Sequence, residues 1–195
     1  MSYCFNFNNL SILDQRLTIM AVLKKGTFTI DLGFVKLGAD FEESDRQCAW
    51  ELYTEMATRV GVTGKAKDPD CADFSGEVFS ESLSSLFIFF GEARKILRGF
   101  PVGAIQARGV ENHLGSLIHR AIRDVLRPFL ERWQAVYRFW WDNESDKNLS
   151  PFERQKHFAE LKDMLSQWSD LRAIMRAIQD QLVLKYKLVD VAKFR

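Results

Sequence analysis

Three groups of residues in this chain are of a type and spacing that could do chemistry. The first is charge lying on greasy helical stripes. Arg94 follows Phe90 by four residues and precedes Leu97 by three, so its stem falls on a face that also carries apolar side chains. Glu51, Glu55 and Arg59 form a second row at i, i+4 and i+8. Desolvating an unpaired guanidinium costs several kcal/mol, so Arg94 needs a carboxylate, carbonyl oxygens or a route to water, and Glu55 is its expected partner. An interhelical ion pair that fixes register is the favoured reading. The competing one gathers Glu55, Arg59, Arg94 and Arg127 into a pocket for phosphate or carboxylate, as in a ligand sensor or small enzyme.

The second group is basic. Arg120, Arg123 and Arg127 make one edge of a helix, and Lys185, Lys187, Lys193 and Arg195 make a basic tail. A nucleic-acid site concentrates such charge and interleaves it with exposed rings. Here Asp124, Glu131 and Asp190 interrupt it, and 27 basic against 26 acidic residues leave a formal charge of only +1. A solvated face is therefore favoured over a nucleic-acid groove. The third group is aromatic: Phe139, Trp140 and Trp141 span more of a helix than one bundle can cover, and Ile88 with Phe89 lies off the main stripe of its own helix. Such clusters anchor protein interfaces. Packing against the N-terminal segment is an equally weighted alternative for Phe139 to Trp141.

Other chemistries lack their residues. Gly61 to Ala66 resembles the end of a phosphate loop, but Arg59 stands where glycine is needed and Ala66 where a hydroxyl must hold magnesium. No glycine-rich dinucleotide fingerprint and no G-x-S-x-G elbow occur. A dinuclear metal bundle needs Glu-x-x-His pairs, and none of His113, His119 and His157 has glutamate three residues before it. Glu153 with His157, and Glu111 near His113, lack further ligands. Cys48 falls in a first helical turn, where the dipole lowers a thiol's pKa, but no histidine stands at a defined neighbouring position. Cys4, Cys48 and Cys71 are scattered and form no C-x-x-C. No catalytic residue, metal or cofactor is expected. The N-terminus lacks the pattern of a signal peptide, and Leu86–Phe90 is far shorter than the roughly 20 apolar residues of a membrane span, so a cytoplasmic location with no membrane partner is expected.

The elements that must position these groups are mostly helical. Ser44 with Gln47 reads as a capping box ahead of a stripe at Ala49, Leu52, Tyr53, Met56 and Val60, closed by Gly61. Residues 62–73 read as a polar connection, the most mobile between helices. A second helix over about 76–98 carries Phe79, Leu83, Leu86, Phe87, Phe90, Ala93 and Leu97, closed by Gly99 and Pro101. A third begins near Val110 and continues past Pro128 with a kink just before it, its stripe running through Phe129, Trp133, Val136, Tyr137 and Trp140. The fourth opens with Ser150 as N-cap and Pro151 at the first position, then runs for about thirty residues. The expected fold is mainly α: an antiparallel four-helix bundle over 44–195, preceded over 1–43 by a small β-containing segment. Thr27 to Leu32 alternates as a strand does; residues 9–25 and 183–193 stay open between strand and helix.

Trp50-Glu51-Leu52-Tyr53-Thr54-Glu55, running on to Arg59, resembles the W-E-L-Y-x-E-x-x-T-R segment of an uncharacterised bacterial protein family. The family's S-L-x-x-L-F…R-x-I-L-R element is similar to Ser82–Arg98, and its L-R-P-F-L-x-x-W element to Leu126–Trp133. Gln134 stands where the family pattern has histidine. The resemblance spans about residues 38–180; it implies a bacterial cytoplasmic helical domain and brings no activity or cofactor. The expected function is a non-catalytic interaction module, an adaptor or oligomerising subunit that presents an aromatic helix face to a protein partner or a second copy. A place as accessory to a bacterial defence or stress system is a conjecture carried by no residue.

Overall fold

The computed structural model describes residues 20–25, 28–34, 43–99 and 114–189, with side chains over 45–99 and 115–189. These residues are mainly helical. Strands β1 (Met20–Lys25) and β2 (Phe28–Phe34) pair antiparallel, with Lys25 opposite Phe28 and Leu23 opposite Ile30, and the ladder is irregular between Met20 and Val22. The alternation read over 27–32 overlaps β2. Residues 9–19, the expected helix start near Val110, Pro101, Cys4, His113 and the Lys193–Arg195 tail lie outside the described residues.

Helix α1 (Glu43–Ala57) begins one residue before Ser44, and α2 (Val60–Thr63) follows after a break at Thr58 and Arg59. Ala49, Leu52, Tyr53 and Met56 are buried as their spacing requires. Val60 is not: the break turns it outward, and Gly61 becomes a buried residue inside α2 instead of a terminator. A side chain at Gly61 would meet the Ser82 carbonyl oxygen at 3.1 Å, so glycine permits α2 to lie close to the next helix.

Helix α3 (Phe79–Arg98) buries Phe79, Leu83, Leu86, Phe89, Ala93 and Ile96. Phe89 is thus a core residue, and Phe87, expected in the core, is exposed. Both sets satisfy steps of three and four residues. The direction of the neighbouring helices decides between them, and that direction is not written in the local period.

Residues 114–143 form one unbroken helical run: α4 (Leu114–Ala121), a π-helical turn (Ile122–Leu126) and α5 (Arg127–Asn143). The distortion sits immediately before Pro128. Proline has no N–H to give the carbonyl four residues back and crowds that turn, and the wider turn, closed by the Arg127 N–H on the Ile122 carbonyl, accommodates it. Val125, Leu126, Phe129, Leu130, Trp133 and Tyr137 face inward, whereas Val136 faces out.

Ser150 accepts a hydrogen bond from the Glu153 N–H and caps α6 (Pro151–Arg154), as its sequence directs. The expected thirty-residue helix is interrupted, however. A 3-10 turn over Gln155–His157 leads to buried, extended Phe158, and α7 (Leu161–Tyr186) then runs to Lys187, which closes it in the left-handed region. Residues 183–186 are therefore helical. Helix α1 packs on α3 and α7, and α5 packs on the same two, around a shared hydrophobic core.

Candidate functional site

Among the described residues, a polar cluster joins α7 to the connection between α2 and α3. Arg172 has no exposed surface. Its Nη2 donates to Glu77 Oε2 at 2.6 Å, and its guanidinium lies 4.1 Å from the Phe74 ring centre and 5.1 Å from that of Trp168. Burial pulls the pKa of Arg172 down, and the Glu77 carboxylate works against that pull. Ser82 also donates to Glu77 Oε2, while the other carboxylate oxygen, Oε1, and Arg172 Nη1 have no hydrogen-bond partner.

One turn further on, Arg176 spends its donors on main-chain carbonyls: Thr63 (2.7 Å), Lys65 (2.8 Å) and Asp68. Trp168 Nε1 donates to the Gly61 carbonyl at 2.7 Å. Gln155 spans the far end, donating to the Glu77 carbonyl at 2.9 Å and accepting from the Phe79 N–H at 3.0 Å. The connection expected to be the most mobile is therefore tied down along its length. Gly64 belongs to this clamp, since its φ is +69° and an added Cβ would lie 3.3 Å from Arg172 Cδ.

Within the same connection Lys65 Nζ donates to Ser75 Oγ at 2.5 Å and pairs with Asp73 at 2.9 Å, and Ser75 Oγ donates to Asp73 at 2.6 Å. Hydrogen bonds from Ser75 and Lys65 hold the Asp73 carboxyl well below the usual range. A serine hydroxyl committed to a carboxylate closes a turn; it is not readied as a nucleophile. No group of three or more metal-ligating side chains occurs among the described residues.

The residues singled out from sequence are dispersed. Glu55 at the end of α1 pairs at 2.8 Å with Arg59 in the break that follows, and Arg59 reaches Ser85 at 3.3 Å. Arg94 does not meet Glu55: it is exposed, with its guanidinium 5.5 Å from the Phe90 ring centre. Arg127 pairs with Glu131 at 2.6 Å in solvent. These four residues form no common pocket. On the basic edge, Arg123 is bound to Asp124, and half-buried Arg120 leaves Nε and Nη2 without partners. Lys185 lies 5.9 Å from the Tyr186 ring centre, and Lys187 caps α7. Cys48 is the sixth residue of α1, past the first turn expected for it, and burial, with Glu51 and Asp45 nearby, pushes its thiol up.

The aromatic group splits. Trp140 and Trp141 are half-buried, packed on Tyr137, with Trp140 also against Phe158, and Arg154 covers the Trp141 ring at 3.8 Å. Phe139 is exposed, and so is Ile88 on α3. Sequence reasoning missed Arg172 and Arg176. Arg172 sits four residues after Trp168 and three before Met175, the same signature that drew attention to Arg94.

A groove of about 320 Å³ lies between the first turns of α3 and the second half of α5. Ser80, Glu81 and Ser84 line one wall and Gln134, Arg138 and Asp142 the other, with Leu83, Tyr137 and Trp141 completing the lining. Arg138 and Asp142 are 3.7 Å apart. The Tyr137 hydroxyl is buried without a hydrogen-bond partner, and burial pushes its pKa far up. No family model, curated protein or solved structure matches the chain. Among the described residues, no helix is long and apolar enough to cross a membrane.

Proposed function

We propose that the chain is a non-catalytic interaction module, an adaptor or oligomerising subunit that presents an aromatic and apolar helix face to a protein partner, with a second copy of itself as the first candidate. The observation that carries this reading is the exposure of large apolar side chains on two helices that pack against one another. Phe139 (59% exposed) and Val136 (45%) stand on α5, and Phe87 (50%) and Ile88 (51%) on α3. Isolated exposed apolar residues are ordinary, but four on adjoining helices are the kind of surface that association covers. The internal polar network is in keeping with the same reading, because its arginines are taken up by the protein's own carboxylate and carbonyl oxygens.

The architecture that goes with this function is an antiparallel four-helix bundle, to which the N-terminal β segment is an attachment. The resemblance of Trp50–Arg59 and Leu126–Trp133 to an uncharacterised bacterial family supports a bacterial, cytoplasmic setting. Sedimentation velocity tests the proposal. The wild-type chain should self-associate with rising concentration, and Phe87→Glu with Phe139→Glu should abolish this while leaving the thermal melt unchanged, because both side chains are already in water. A strictly monomeric wild-type chain at high micromolar concentration overturns the second-copy reading.

A further inference from the structure

We propose that the groove between α3 and α5 is a binding site for a small, uncharged, hydroxyl-bearing ligand of the size of a single sugar ring or cyclic polyol. The argument begins with its hydrogen-bonding groups. The side chains of Glu81, Gln134 and Ser80 have no hydrogen-bond partner among the described residues, so their capacity is free. Ser84 donates to the Ser80 carbonyl at 2.8 Å, which leaves its oxygen as an acceptor. The walls thus offer donors from Ser80, Gln134 and Arg138 interleaved with acceptors from Ser84, Glu81 and Asp142.

Charge then narrows the class of ligand. An anion drawn to Arg138 would be brought against Asp142, 3.7 Å from it, and Glu81 on the opposite wall. A cation drawn to the carboxylates would meet Arg138 in turn. A purely apolar ligand would strip water from all six groups and return no hydrogen bonds. A hydroxyl both donates and accepts, so a ligand carrying several satisfies both sets of groups without carrying a charge. The volume, about 320 Å³, lies at the small end of ligand clefts, roughly 300–1,000 Å³, which points to one ring and not a chain.

This inference is independent of the association surface, because neither Phe87 nor Phe139 lines the groove. The test titrates the full chain with D-glucose, N-acetylglucosamine and myo-inositol, following backbone and glutamine side-chain amide resonances by NMR. Inorganic phosphate and spermidine serve as the charged comparisons. Saturable shifts at the Gln134 amide and along residues 80–84 with at least one neutral probe are expected. Gln134→Ala and Asp142→Ala should each weaken binding by about tenfold, as lost hydrogen bonds in a ligand site do, with an unchanged thermal melt. No saturable shift with any neutral probe overturns the proposal. So does tighter binding of phosphate or spermidine, or binding that survives both substitutions together.

Discussion

Arg172 shows how far one buried charge can be argued. Its partner Glu77 supplies a short charge-assisted bond, but the desolvation of two ions offsets much of that attraction. The pair is better understood as a specifier of how α7 meets the α2–α3 connection than as a source of net stability. Removing one member is another matter, because it strands the other without water. Arg172→Leu should lower unfolding free energy by about 3–5 kcal/mol in urea melts, and Arg172→Met with Glu77→Leu should recover most of that loss. If the double substitution is as damaging as the single one, the stacking of Arg172 on Phe74 and Trp168 dominates instead. Tyr137 poses the opposite case. Its hydroxyl is buried without a partner, so Tyr137→Phe should leave thermal stability unchanged or raise it by up to about 1 kcal/mol. The rule that flags a guanidinium on an apolar stripe applies to Arg94 and Arg172 alike. It misleads at Arg94 because that side chain stays in water over Phe90, and it holds at Arg172 because carboxylate and rings surround it.

At the scale of elements, the helices were legible wherever a local signal was backed by local chemistry. Ser150 caps α6, and Pro128 marks the distortion of the third long helix to within a residue or two. The misreadings arise where tertiary contacts decide. Phe87 and Phe89 are interchangeable by period and are separated only by where α5 and α1 lie. The continuous fourth helix breaks at Phe158, whose ring packs against Trp133, Tyr137 and Trp140 at the cost of helical backbone. Composition suggested a loose tether over residues 62–73, but the donors that hold it, Arg172 and Arg176, lie about a hundred residues later and could not be read there. Gly64 gives the clamp a specific vulnerability. A φ of +69° with ψ of −168° is open almost only to glycine and costs another residue about 1–3 kcal/mol, and the close approach of Arg172 adds to that. Gly64→Ala should therefore lower the urea midpoint, with faster amide exchange confined first to residues 64–77.

For the molecule as a whole, apolar spacing makes the mainly helical fold legible, while the groove between α3 and α5 is invisible to it. Walls drawn from residues fifty or more positions apart come together only through packing, and their side chains match no motif. The exposed face follows the same logic, and one measurement separates it from the groove. Phe139→Glu should change sedimentation and leave the titration with neutral probes as it was. The position of α7 has a consequence for synthesis. Its Trp168, Arg172 and Arg176 reach partners 95 to 113 residues earlier in the chain. Contacts so distant form slowly, since a long stretch of chain must be ordered before they repay it. On the ribosome, Phe74, Phe79 and Glu77 therefore emerge well before the segment that covers them. Until that segment arrives, the half-made protein offers chaperones a greasy seam that the finished one conceals.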